Sequence, residues 1–312
     1  MHDGRMQSQT TQSVLAGYRF STKQIDVCLQ ATSLLARNFN GIFKHAWNNR
    51  FDFVVILHAD IGVRPPANSV SWVDVLVDLV KHTGAAAISS VVPIKTEAGV
   101  TSTGLDLVPG NPYSMRRLTV RECNFHLRYP QIISKKDICQ LWGLDPANTG
   151  PLLINTAVMC MNLRHYNWAK AGWPGFGIKD VIGWSKDGYA DMFTGPEDWE
   201  CSRWMDSMNW PYYATMKLGV DHFGTHAFSN RGAWGLLHDL TPVQGSLTDF
   251  RNSYVNDPRN LDQAFRRVRV PMDRGARTAE VPLQRFGNGT DSQDASSAEG
   301  LPFDQTLPIA VV

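Results

Sequence analysis

His58 and Asp60 stand two residues apart at the end of a short apolar run, Val54-Val55-Ile56-Leu57, with Gly62 and Pro65-Pro66 just beyond. An imidazole and a carboxylate at that spacing share one face of an extended segment, and both can ligate a divalent cation. The run is too short for a helix and rich in β-branched residues, as a strand buried on both faces of a parallel sheet requires. Open α/β sheets bind ligands beyond the carboxyl ends of their strands, where these two side chains fall. Two further polar clusters occupy comparable places: Glu197-Asp198 at a predicted helix start, and His222 with His226 at a predicted strand end. One or two protein groups plus substrate phosphates make a hard-cation site for phosphorylated ligands, and imidazole shifts the choice from magnesium toward manganese. Asp60 with His222 is the candidate pair of metal ligands.

The elements that must position these groups follow from hydrophobic periodicity. Met6 to Tyr18 reads as a helix and Ile25 to Leu29 as a strand. Leu34, Leu35, Phe39, Ile42, Phe43 and Trp47 recur at helical spacing and predict an amphipathic helix running into the apolar strand. Ser71 to His82 predicts another, with Ser71 as N-cap, Asp74 as capping-box partner and Gly84 past its end. Ala85 to Val92 is a further buried strand. This alternation argues for βα units and a mostly parallel sheet. From Lys95 to Tyr129 glycines and prolines break the pattern into short pieces of the kind that carry substrate loops. Ser134 starts a helix to about Trp142, Leu152 to Met161 is one buried strand, and a helix follows from about Arg164. Gly172 to Trp184 is expected to be a loop. Thr194-Gly-Pro-Glu-Asp-Trp opens a helix to about Met208, and Tyr212 to Val220 returns as one strand.

The 312 residues suffice for one large α/β domain, over residues 1–270, followed by a tail over 271–312. The tail is Gly-, Ser- and Asp-rich and is expected to be mostly disordered, with a docking segment at its apolar end. A hydrophobic content of 43% with 19% charged residues is that of an ordinary globular protein, and a net charge of +1 gives no global case for nucleic acid or membrane binding. The cysteines (Cys28, Cys123, Cys139, Cys160 and Cys201) are odd in number without a C-x-x-C pair, against a disulfide framework or a zinc knuckle. There is no apolar run of about 18 residues and no signal-peptide core, which together argue for a cytoplasmic protein.

Three stretches in order then resemble one family, the nucleotide-sugar glycosyltransferases of the GT-A fold, family 2-like. Phe53 to Pro65 (F-V-V-I-L-H-A-D-I-G-V-R-P) resembles the strand-plus-DxD segment, with H-A-D as a variant of DxD. Gly195 to Met205 (G-P-E-D-W-E-C-S-R-W-M) is similar to the family's E-D helix start, and Leu218 to Gly224 (L-G-V-D-H-F-G) to its late histidine motif. Ala36-Arg37-Asn38 echoes an A-R-N segment of the preceding helix. The likeness covers about residues 1–240.

The resemblance implies a GT-A, Rossmann-like α/β sheet and transfer of a sugar from a nucleoside diphosphate sugar, UDP-linked first among candidates, to a hydroxyl acceptor with a divalent cation, Mn2+ or Mg2+. Asp60 would hold the cation and His222 would be its second ligand. Asp198 would be the base toward the acceptor if the enzyme inverts, and Glu197 would orient sugar or acceptor hydroxyls. Arg37, Asn38 and Asp3 would help hold the nucleotide. His58 replaces the first acidic residue of the motif, whose contacts to ribose and donor sugar are therefore in question. The family's usual first strand has no counterpart at the start of this chain: the strand is missing from this sequence, the gene start is misassigned, or another segment compensates. The acceptor class stays open between a glycan, a small molecule and modified DNA. The last is suggested by the arginines from Arg251 to Arg277, whose simpler reading is a solvated helix face. Most tryptophans read as packing, with Trp173 and Trp184 as candidates for a sugar-stacking wall. The alternative function is a catalytically silent relative that binds a nucleotide or glycan.

Overall fold

The structure is a computed structural model, and it describes residues 6–30, 32, 34–67, 69–109, 114–127, 132–184, 190–232, 234–236 and 308–311. The architecture is mixed α/β. Helix α1 (Ser8–Arg19), strand β1 (Gln24–Val27), helix α2 (Leu35–Asn48) and strand β2 (Phe53–Leu57) come first. Strand β3 (Ile61–Arg64), helix α3 (Trp72–Thr83) and strand β4 (Ala87–Ser90) follow. The middle holds β5 (Val100–Asp106), β6 (Met115–Thr119), α4 (Lys135–Trp142), β7 (Leu152–Leu153) and β8 (Val158–Asn162). The hairpin β9 (Lys179–Trp184) and β10 (Ala190–Gly195) leads into α5 (Glu197–Ser207), then β11 (Tyr212–Thr215), β12 (Gly219–Phe223) and β13 (Ala227–Ser229). Strand β14 (Pro308–Val311) ends the described chain.

The central sheet runs β1-β14-β2-β8-β4-β11. All its strands are parallel except β8, which is antiparallel to both β2 and β4, so the expected mostly parallel sheet is a mixed one. The continuous apolar run of β2 has a direct explanation. Val54 and Ile56 join one core with Phe39, Ile42 and Ala46 of α2, while Phe53, Val55 and Leu57 join another with Trp72, Leu76 and Val80 of α3. Alternate side chains point to opposite faces of a strand, and both faces are covered. Helix α1 lies beside α3, where the Trp72 indole donates to the Ser13 carbonyl (2.7 Å) and Ser71 Oγ donates to the Gly17 carbonyl (2.7 Å).

Several elements expected as single pieces are divided. Leu152 to Met161 is two strands in different sheets, because Asn155 turns the chain: its amide donates to the Ser90 carbonyl (2.8 Å) and its oxygen accepts from Ala157 N–H (3.0 Å). Tyr212 to Val220 is likewise divided between β11 in the central sheet and β12 in a small sheet ordered β13-β12-β3. The helix expected from Arg164 is a series of turns, in which Asn162 and Asn167 side chains take the N–H groups of His165 and Lys170. The loop expected over Gly172 to Trp184 contains β9. Ser71 caps α3 as expected, and Gly84 ends it in the left-handed conformation (φ 65°). Asp74 does not close the capping box. Its carboxylate instead accepts from Ser21 Oγ (2.5 Å) and from the Thr22 N–H and Oγ (both 2.8 Å), tying α3 to the α1–β1 turn.

The docking segment expected at the apolar end of the tail falls on Pro308 to Val311. It is β14, seated between β1 and β2, with Ile309 in register with both Ile25 and Phe53. Residues 271–307 and the arginines from Arg251 to Arg277 lie outside the described residues. Among the described residues, no helix is long and apolar enough to cross a membrane, and the cysteines are free.

Candidate functional site

The site is built where β2 and β4 end and β8 begins. Leu57 is in register with Val158, and the His58 N–H donates to the Ala157 carbonyl (3.0 Å), so the Asn155–Thr156 turn lies beside His58. The chain then turns into β3, which pairs with β12 so that Ile61 faces His222. Phe223 N–H donates to the Asp60 carbonyl (2.8 Å), which fixes Asp60 against the strand that carries His222.

Asp60 is 7% exposed. Its Oδ2 accepts from Lys95 Nζ (2.5 Å) and lies 3.3 Å from His222 Nε2. Its Oδ1 is buried without a hydrogen-bond partner. Burial alone would raise the carboxyl's pKa, but the hydrogen bonds from His222 and Lys95, with their positive charges, outweigh it and hold the group well below the usual carboxylate range. His222 Nδ1 lies 2.8 Å from the Pro93 carbonyl. A carbonyl only accepts, so Nδ1 carries the hydrogen there, and Nε2 faces Asp60 either with a proton or with a lone pair. A lone pair and a carboxylate oxygen at that distance call for a positive centre, either a proton on the ring or a cation. A backbone carbonyl orienting an imidazole in this way is the usual support of a metal-ligating histidine.

Asp60 and His222 therefore fit a divalent cation, with Asp60 Oδ1 as a further free donor atom. Among the described residues, no group of three or more His, Cys, Asp or Glu converges as a metal cluster. The remaining ligands would have to come from a substrate, as phosphate oxygens do at magnesium and manganese sites.

His58 takes no part in this pair. Its ring stacks on Phe39 (centroids 5.2 Å, 18° between planes), and Nε2 lies 3.2 Å from Thr156 Oγ. Thr156 also lies beside Glu197, where its hydroxyl favours the charged carboxyl, so the end of β2 and the start of α5 meet at this threonine. Glu197 is 6% exposed, and burial raises its pKa. Asp198 keeps some exposed surface, but its carboxyl is enclosed, and its pKa is pushed up to about 7 by burial and by the neighbouring Glu197. The Trp199 N–H bond (2.8 Å) and the Arg117 charge oppose that shift without cancelling it. Arg117 stacks over Trp199 at 4.3 Å, and the Trp199 indole donates to the Ser102 carbonyl (3.2 Å). Ser202 bonds both backbone groups of Ile154, and Arg203 grips Asp106 of β5 through Nε (2.8 Å) and Nη2 (3.0 Å). Those anchors hold the first turn of α5 against the strand ends.

The other expected residues are distributed differently. Arg37 is exposed on α2. Asn38 organises the β1–α2 loop by accepting from Thr32 N–H (3.2 Å) and Oγ (2.7 Å). Asp3 lies outside the described residues. His226 pairs with Glu97 (3.1 Å) and stacks near Phe228, away from Asp60. Trp173, partly exposed, packs between Trp168 (5.3 Å) and Trp204 (4.8 Å) at the edge of an aromatic core. Trp184 is the last residue of β9, in register with Ala190.

Lys95, Thr156 and Arg117 were not among the expected residues. Lys95 was legible in principle, because it follows the buried β4 run as His58 and Asp60 follow β2. The polar pair Asn155-Thr156 interrupts an apolar run, which signals a break at a strand end. Arg117 lies on a strand of an irregular region and carried no signal. Comparison with family models, with curated proteins and with solved structures finds no match to this chain.

Proposed function

We propose that this protein is a metal-assisted glycosyltransferase of GT-A type, moving a sugar from a nucleoside diphosphate sugar, UDP-linked first among candidates, to a hydroxyl acceptor. One observation carries the reading. A buried carboxylate–imidazole pair with an unpartnered oxygen lies at the C-terminal end of β2, one threonine away from a carboxylate pair of raised pKa.

Asp60 and His222 would hold the cation beside the donor's diphosphate, where a divalent ion acts as a Lewis acid toward the leaving group. In an inverting reaction Asp198 accepts the acceptor's hydroxyl proton. The acceptor oxygen forms its bond to the anomeric carbon as the bond from that carbon to the diphosphate oxygen breaks, and the nucleoside diphosphate leaves with the electron pair. A base with pKa near 7 is matched to this task at neutral pH. Glu197, beside Thr156, orients hydroxyls.

The test is release of UDP from a panel of UDP-sugars with Mn2+ and a mixed acceptor library, read beside thermal unfolding with the same ligands. Turnover that is lost in both Asp60→Ala and Asp198→Ala supports the assignment; turnover retained in both sinks it. A nucleotide- or glycan-binding protein without turnover is the second reading, favoured by His58 in the motif's first acidic place and by Lys95 on Asp60. It predicts stabilisation by ligand without UDP release.

A further inference from the structure

We propose that Lys95 is the exchangeable counter-ion of this site. In the free protein it holds the Asp60 carboxylate, and when a nucleoside diphosphate binds with its cation, Lys95 yields that carboxylate and turns its ammonium to the phosphate oxygens. This inference rests on the site being a nucleoside diphosphate site, and it adds a phosphate-binding residue and a coupling between two ligands.

The Asp60 and Lys95 side chains are unequally held. The Asp60 side chain is 10% exposed and its backbone is pinned by Phe223, whereas that of Lys95 is 37% exposed on a flexible stem. The Lys95 side chain therefore has room to swing away, and Asp60 cannot follow it. The stem runs past Gly224, where a Cβ would come within 3.1 Å of Lys95 Cδ, so the absent side chain leaves it room. The surrounding frame does not depend on the pair. His222 is bonded to the Pro93 carbonyl, and His226 reaches Glu97 across the same segment. Breaking Lys95 from Asp60 thus leaves both walls in place.

A buried carboxylate stripped of its cation is unfavourable, so Lys95 departs only when another positive centre arrives. A lysine ammonium is a point charge that serves carboxylate and phosphate alike. A divalent cation alone must displace Lys95 with nothing to receive it, and a nucleotide alone must compete with Asp60 for Lys95. Together they satisfy every charge. The two ligands should therefore bind cooperatively, and by linkage each raises the other's affinity by the same factor.

Titration calorimetry on the full chain with MnCl2 and with UDP, each alone and in the presence of the other, tests this. In the wild type each ligand tightens the other. In Lys95→Met, Mn2+ alone binds at least tenfold tighter, because its competitor is gone, while UDP in the presence of Mn2+ binds at least tenfold weaker. Lys95→Arg, which keeps a positive charge, holds UDP within a few-fold of wild type and guards against a folding defect in the Met variant. Mn2+ binding no tighter in Lys95→Met than in wild type overturns the inference while leaving the site intact. A wild type that binds neither ligand, alone or together, overturns the inference and the proposed function with it.

Discussion

The two ends of β2 carry the same starting material. Asp52 precedes the strand and Asp60 follows it; both are buried, both are ion-paired, and each keeps one carboxylate oxygen without a partner. At the Asp52 end the partner is Arg164 (2.8 Å), half exposed, beside a cavity of about 590 Å³ lined by Trp47, Asn48, Arg50, Phe51 and Leu163. At the Asp60 end a lysine and an imidazole crowd one oxygen, and the raised carboxyls of α5 stand one threonine beyond. A cavity marks the first end and chemistry the second. The proposed function uses the second, because of the two ends that is where titratable groups from different elements meet with shifted proton affinities. A buried aspartate with one guanidinium is a structural clamp.

The comparison breaks most sharply at Asp198. Asp198→Asn should lower turnover by ~10²–10⁴-fold, the usual share of a general base, with UDP affinity kept. Steady-state kinetics beside calorimetry separates the two quantities. Asp60→Asn should lower turnover by ~10²–10³-fold and also abolish Mn2+-dependent UDP binding, since it removes charge stabilisation at the leaving group.

The pH profile of kcat/KM comes next. It should fall about tenfold per pH unit below the Asp198 pKa of about 7, because the base is then protonated. Stability runs the other way for this group. Its folded pKa lies above the ordinary value of 3.8, so the folded state holds an extra proton between those values. That contribution is fully present below 3.8 and is lost as pH rises through about 7. Asp198→Asn should therefore gain stability relative to wild type as pH rises over that window, in denaturant titrations.

At the other end of β2 the effects should be smaller. Asp52→Asn should cost on the order of 1 kcal/mol of stability, since the half-exposed Arg164 regains water, and should leave turnover within about twofold. A thousandfold loss there would transfer the site to the cavity. Arg50 has φ 59°, the left-handed position after α2, where glycine is unstrained. Arg50→Gly should stabilise by up to about 1 kcal/mol, read as a rise in Tm, without changing UDP binding.

Much of the frame was legible in the residues. The spacing in α2, the N-cap and terminal glycine of α3, the start of α4 at Ser134 and the apolar run of β2 are local patterns, and the structure keeps them. The misread segments share one cause. Over Leu152 to Met161 and Tyr212 to Val220 the apolar character is continuous, so periodicity shows no joint. The joints come from Asn155 and from Thr215, whose Oγ accepts Lys217 N–H (3.0 Å). Polar side chains that bond backbone out of register end strands without altering hydrophobicity.

By itself the sequence determined which residues have the chemistry: a carboxylate at one strand end, a histidine late in the chain, a carboxylate pair at a helix start. It also determined that these lie near element ends, since periodicity and caps are local. Only the tertiary structure decided their company. The antiparallel pairing of β3 with β12 brings His222 to Asp60 across 162 positions, and the segment after β4 brings Lys95 to the same oxygen across 35. The break before β8 sets Thr156 between His58 and Glu197. The last described residues enter the sheet between β1 and β2. Such contacts depend on which strands find each other over long separations. That choice is made by the free energy of the whole packed core, and no local pattern records it.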